Sequence, residues 1–244
     1  MFRSLQLGIA MVLLNAAASA HAACTFGTSP ETSLQGIFDS VLGPGTLSAT
    51  NDCLAPNLDQ LWNAPGEVVA TVLIEIAGFA SQNVFGIYDP KAHTQSQVTV
   101  FGGPEGPGAS AMIQLISNGS SYSVLLNGVV QGQFATQDFG FFLRTPENNT
   151  FYSQPGFNVD AADHLYSYRG NDATFVSGPL NGTTFSNAMY LLAFEDLRIP
   201  GGDGDFQDFV ATANFAPVPL PAGVLLLGSV LGIGAVIRRR KARL

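Results

Sequence analysis

Five carboxylates, Glu195, Asp196, Asp203, Asp205 and Asp208, fall within fourteen residues, with one basic residue, Arg198, among them. Asp203 and Asp205 are two apart, so they point the same way in an extended loop. Gly201, Gly202 and Gly204 let that loop fold tightly. Glu195 and Asp196 end one apolar run and Asp208 begins the next, so a turn between the runs gathers all five. In water each close pair of like charges costs on the order of 1 kcal/mol, and more where water is excluded. A bound cation offsets that repulsion. Hard oxygen donors without His or Cys favour Ca²⁺ over a transition metal. A solvated acidic hairpin is the other reading of the same residues. The segment is not an EF-hand, because the Glu expected at loop position twelve is missing.

A second polar group is Asn158, Asp160, Asp163 and His164. It could lend ligands to the acidic loop, bind separately, or simply form a turn, where Asn and Asp are common. Catalysis has little support. No G-x-S-x-G, H-E-x-x-H or phosphate-binding loop is present. Glu67, Glu75 and Glu105 could supply a glycosidase pair, but no spacing joins two of them. Trp62 and the six Tyr could stack on sugar rings, though a single Trp more often belongs to a core. Three N-x-S/T triplets, at Asn118, Asn148 and Asn181, read as turns.

Both chain ends carry address signals. Arg3 precedes an apolar stretch to Leu14, and small residues up to Ala22 follow. This is the pattern of a secretory signal peptide over residues 1–22, with cleavage after Ala22. Lipidation of Cys24 is a competing outcome, disfavoured by His21 three positions before it. At the other end, about twenty apolar residues from Val218 to Ile237 precede Arg238, Arg239, Arg240, Lys241 and Arg243. That length matches the hydrocarbon thickness of a bilayer, which predicts one C-terminal transmembrane helix. The basic block should stay on the cytoplasmic side. Pro219 and Pro221 stiffen an extended spacer before the helix.

The order Val218, Pro219, Leu220, Pro221, Ala222, then an apolar helix, then Arg238, Arg239 and Arg240, resembles the PEP-CTERM sorting signals in their VPLPA variant. The resemblance covers residues 217–244. It implies a Gram-negative bacterium that makes exopolysaccharide. It also implies an exosortase-type membrane protease as partner, with anchoring in the inner membrane before release to the surface or matrix. Val-Pro-Leu-Pro stands here in place of Pro-Glu-Pro.

Between the ends lie about 195 residues, enough for one domain with a core of its own or two small ones. All eighteen acidic residues fall here, against four basic ones (Lys91, Arg144, Arg169 and Arg198), which leaves a formal charge of −14. Such a surface repels nucleic acid and attracts divalent cations. The only cysteines, Cys24 and Cys53, can pair in an exported protein.

Ten short runs rich in β-branched and aromatic residues read as strands, over 68–76, 84–88, 97–101, 111–116, 123–126, 129–134, 139–144, 165–168, 190–194 and 209–215. Asn127-Gly128 predicts a two-residue type I′ hairpin. Residues 34–42 read as the one helix, with Leu34, Ile37, Phe38 and Val41 on its apolar face. The fold expected is mainly β, an antiparallel β-sandwich or jelly roll. We divide it into an N-terminal β region, 23–140, and a C-terminal one, 141–216.

Phe194-Glu195-Asp196-Leu197, followed by Gly202-Asp203-Gly204-Asp205-Phe206-Gln207-Asp208, resembles the C-terminal signature of the domain-of-unknown-function 4114 family. Residues 74–80, 83–89 and 151–153 are similar, more loosely, to segments of surface proteins carrying that domain. The resemblance implies a surface address and a β fold, and it favours the calcium reading. The function expected is that of an exported, non-catalytic surface or matrix protein. An exopolysaccharide-binding module and a secreted hydrolase are the rivals.

Overall fold

Each of the ten predicted runs is occupied by a strand. The computed structural model describes residues 21–27, 33–56, 58–63, 67–75 and 82–215. In chain order the elements are β1 (His21–Ala22), α1 (Leu34–Leu42), β2 (Cys53–Leu54), β3 (Trp62–Asn63), β4 (Glu67–Glu75) and β5 (Val84–Tyr88). Next come β6 (Gln97–Phe101), β7 (Ser110–Ser117), β8 (Tyr122–Leu126), β9 (Val129–Phe134), β10 (Asp138–Arg144) and β11 (Thr150–Tyr152). The last are β12 (Leu165–Arg169), β13 (Ala173–Thr174), β14 (Thr184–Phe185), β15 (Met189–Phe194) and β16 (Phe209–Phe215).

Two antiparallel sheets carry the fold. The larger has nine strands in the order β1-β2-β12-β15-β16-β4-β7-β8-β9. The smaller runs β11-β10-β5-β6, with β3 also paired to β10. Their inner faces share one core, in which Phe85 of β5 stacks on Phe209 of β16 at 4.9 Å and meets Phe194 of β15 edge-on at 6.0 Å. This is the arrangement of a β-sandwich. Truncating a fully buried ring such as Phe85 to Ala costs roughly 3–5 kcal/mol by cavity formation. β4 lies between β16 and β7, so strands from both halves of the chain interleave in one sheet.

The strands at the centre of the large sheet are covered on both sides. Leu192 and Phe194 enter the sandwich core, while Leu191 and Ala193 join a second apolar cluster with α1. That double burial explains the nearly continuous apolar run of β15. Helix α1 presents Leu34, Ile37, Phe38, Val41 and Leu42 to this second cluster. Its start is set by Ser33, whose hydroxyl accepts from the Gly36 amide at 3.2 Å. Cys24 and Cys53 form a disulfide, with Cα atoms 6.2 Å apart, that holds the N-terminal strap beside the helix.

Two local features refine the expected pattern. Asn127 and Gly128 take φ of 51° and 79°, as a type I′ turn requires. The Asn127 carboxamide adds a hydrogen bond of 2.9 Å from the Met112 amide. In the β4–β16 ladder, Ala211 pairs with Val72 but Val210 with Ile74, so the register slips by one residue. Strict alternation therefore does not run through the whole of β4. Among the described residues, no helix is long and apolar enough to cross a membrane.

Candidate metal centre

The β15–β16 connection carries the predicted carboxylates, and the sheet fixes its two ends. Glu195 follows Phe194 and Asp208 precedes Phe209, which are opposite one another in the ladder. The Asp196 amide donates to Asp208 Oδ2 at 2.9 Å and closes the base of the loop. Asp205 accepts from the Gln207 amide at 3.2 Å and from Gln207 Nε2 at 2.7 Å. Glu195 Oε1 accepts from the Leu197 amide at 3.0 Å. Gly202 packs so closely that a Cβ there would lie 2.6 Å from Leu197 Cβ and 3.1 Å from Glu195 Oε1.

All five carboxylates come together, as two groups that share a member. Glu195, Asp203 and Asp205 offer oxygens within 4.8 Å of one another, and so do Glu195, Asp196 and Asp208. Two oxygens on opposite sides of a Ca²⁺ ion, at about 2.4 Å each, stand about 4.8 Å apart. Oxygens within that limit can share one cation. Glu195 is completely buried, and Asp196, Asp205 and Asp208 nearly so. Glu195 Oε2 and Asp203 Oδ1 are buried without any hydrogen-bond partner.

Arg198, the one basic residue in the loop, turns outward to Asn149 Oδ1 at 3.2 Å. Among the described residues the one ion pair is His164 with Asp160, and it includes none of Glu195, Asp203, Asp205 and Asp208. Electrostatics register this. Burial, with added repulsion from Asp203, Asp205 and Asp196, pushes the Glu195 carboxyl up to about 7, although the Leu197 amide pulls it down. Burial, then the charges of Asp196 and Glu195, push Asp208 up to about 9. A divalent cation would relieve both effects.

Residues outside the loop support it, some of them from the polar group at 158–164. Asn83, buried before β5, donates from Nδ2 to Asp196 Oδ2 at 2.8 Å, and its Oδ1 faces no donor. His164 accepts the Glu195 amide on its carbonyl at 3.1 Å. Its ring lies between the Glu195 carbonyl (Nδ1, 3.1 Å) and Asp160 Oδ2 (Nε2, 2.9 Å). Both partners can only accept, so the ring makes both bonds when both nitrogens carry hydrogen. Asp160 also accepts from the Ile199 amide at 3.0 Å, which anchors the outer limb of the loop. Gly27, on the N-terminal strap, donates its amide to the Gly204 carbonyl at 2.8 Å. Asn158 is a turn residue: its side chain bonds Tyr152 N, Tyr152 O and Ala162 O. His93 stacks on Phe157, and Trp62 packs in the core against Phe141.

The predicted sorting residues Val218, Pro219, Leu220, Pro221 and Ala222, and the basic residues Arg238, Arg239 and Arg240, lie outside the described residues, as does most of the predicted signal peptide.

Fold and site together define a two-sheet antiparallel β protein with a carboxylate-lined loop at one end. Residues 106–216 match the family model of the domain of unknown function DUF4114, a span that includes the whole acidic loop. No curated protein and no solved structure matches the chain.

Proposed function

We propose that this is an exported, non-catalytic surface or extracellular-matrix protein whose β-sandwich is stabilised by Ca²⁺ bound in the 195–208 loop. In this reading residues 1–22 are the signal peptide and residues 217–244 the VPLPA-type sorting tail. An exosortase-type membrane protease reads that tail. The observation that carries the calcium part is a set of five gathered carboxylates, four of them buried, in which Glu195 Oε2 and Asp203 Oδ1 have no hydrogen-bond partner. Glu195 belongs to both ligand groups, so it contributes most. Loss of Ca²⁺ leaves Glu195 Oε2 and Asp203 Oδ1 buried without partners, which loosens the loop. Thermal melts of the purified exported protein in excess Ca²⁺ and in EDTA test this, and equal midpoints would remove the calcium claim. The intact mass of the native surface form tests both cleavages.

A second reading, an exopolysaccharide-binding module, has one observation in its favour. An open cleft of about 400 Å³ borders the loop, and Phe26, Tyr166, Asp163 and Asp203 help to line it. Aromatic rings beside an acidic edge suit sugar hydroxyls and ring faces. Binding to a glycan array of matrix polysaccharides discriminates the two readings, and silence across the array would count against this one.

A further inference from the structure

The limit that joins each trio of carboxylates in the 195–208 loop does not join all five. Asp203 and Asp205 meet Glu195 in one group, and Asp196 and Asp208 meet it in the other. An ion seated in either group therefore leaves two carboxylates of the other without it. Charge balance adds to this. Five ionised carboxylates carry −5, so one Ca²⁺ leaves −3 and a second leaves −1. Four of the five are buried, where residual like charge costs more than in water. Glu195 has room for two ions. Its Oε1 accepts one bond, from the Leu197 amide, and its Oε2 is buried with none. Both oxygens thus keep lone pairs free for an ion.

The group of Glu195, Asp196 and Asp208 is the more deeply buried, and a residue from outside the loop is aimed at it. Asn83 stands 113 residues from Asp196 along the chain and is 1% exposed. Its Nδ2 donates to Asp196 Oδ2 at 2.8 Å, and its Oδ1 is buried without a partner. A half-turn of the carboxamide exchanges its two ends. Oδ1 then stands beside Asp196 Oδ2 at the separation that Nδ2 has now. Ca²⁺ commonly holds five ligands in a ring at about 2.4 Å, which sets neighbouring ligands about 2.8 Å apart. Two oxygens so close repel one another unless a cation holds both, so an ion favours the half-turn.

We propose that the loop holds two Ca²⁺ ions bridged by Glu195: an outer one on Asp203 and Asp205, and an inner one on Asp196 and Asp208 with the Asn83 carboxamide oxygen as an uncharged ligand. This rests on the calcium reading of the loop and sets its stoichiometry. Ca²⁺ takes six to eight oxygens, and water completes each set. Asn83 directly precedes β5 of the smaller sheet, while Asp196 and Asp208 adjoin β15 and β16 of the larger. The inner ion therefore ties the two sheets together. The outer ion secures the limb of Gly204, whose carbonyl accepts from Gly27 on the N-terminal strap.

The test counts ions. The purified exported protein is stripped of divalent ions with a chelator and titrated with CaCl₂ in a calorimeter, and native mass spectrometry gives the ions per chain independently. Two are expected. Asn83→Ala should weaken one of them by about tenfold and leave the other bound. One ion per chain in the wild type overturns the inference and leaves the calcium reading of the loop standing, whereas none overturns both. An isotherm unchanged in an Asn83→Ala variant that folds by circular dichroism also overturns the inference. If that variant does not fold, Asn83→Asp decides. It keeps an oxygen at the same place and adds charge, so it should hold the inner ion more tightly, and an unchanged or weaker isotherm overturns the inference.

Discussion

The β8–β9 connection spans two residues, and the β15–β16 connection spans fourteen. Both join neighbouring antiparallel strands of the same sheet. The short one closes through backbone geometry: two positive φ angles at Asn127 and Gly128 match the strand twist. It stands in solvent, and Val129 beyond it is 60% exposed. The long one closes through side chains. Its carboxylates accept from the amides of Asp196, Leu197 and Gln207, and most are buried. The difference teaches that one end of the sheet closes without buried charge, while the other concentrates buried negative charge and depends on what neutralises it.

The strongest way to break this contrast is to withdraw Ca²⁺. If the ion stands a hundred- to a thousandfold above its dissociation constant, it contributes about 3–4 kcal/mol. Removal should lower the melting midpoint by about 10 °C in a chain of this size. Hydrogen exchange should then rise across 195–208 and stay unchanged across 122–134. Equal change at both turns would erase the distinction.

The disulfide comes next. Replacing Cys24 and Cys53 by Ala should cost about 3 kcal/mol for a closed loop of 29 residues. Urea unfolding should show it as a lower midpoint, with the β8–β9 turn again unaffected locally.

pH sharpens the contrast further. In the ion-free protein Glu195 and Asp208 hold protons more readily when folded than when unfolded. Their contribution to stability is therefore complete below about pH 4, and is lost as pH rises through about 7 and then 9. Ion-free melts should fall from pH 5 to pH 9, by roughly several degrees. Calcium ligation needs the deprotonated forms, so melts in excess Ca²⁺ should rise over the lower part of that range. Parallel trends with and without the ion would contradict the assignment.

The smallest effects are single glycine changes. Gly202→Ala forces a Cβ against Leu197 and Glu195, and should cost roughly 1–3 kcal/mol and weaken Ca²⁺ binding. Gly128→Ala meets no neighbour and bears only its positive φ, roughly 1 kcal/mol, with Ca²⁺ affinity unchanged. Denaturant midpoints and calcium titrations of the two variants measure both halves of the comparison.

Much of the fold was legible because it follows from periodicity. Helix α1 was readable from the spacing of Leu34, Ile37, Phe38 and Val41, and the Asn127-Gly128 turn from two residues that tolerate positive φ. The pairing of Cys24 with Cys53 followed from their being the only two. The two-residue strands β2, β3, β13 and β14 were not readable, because their pairing is set by distant partners and not by their own sequence. The carboxylate cluster was visible because it is contiguous. Its division into two groups around Glu195 was not, nor was the outward turn of Arg198. Asn83 reaches the site from 113 residues away and nothing local marks it, whereas His164 and Asp160 belong to the polar group visible at 158–164.

The strap from Cys24 to Gly27 is tied at both ends, by a sulfur bond to Cys53 and by a hydrogen bond from the Gly27 amide to the Gly204 carbonyl. If the loop holds the proposed cation, thiol chemistry and ion occupancy meet on the same four residues. By thermodynamic reciprocity, whatever factor oxidation adds to the cation affinity of the loop, the cation adds to the equilibrium for oxidation.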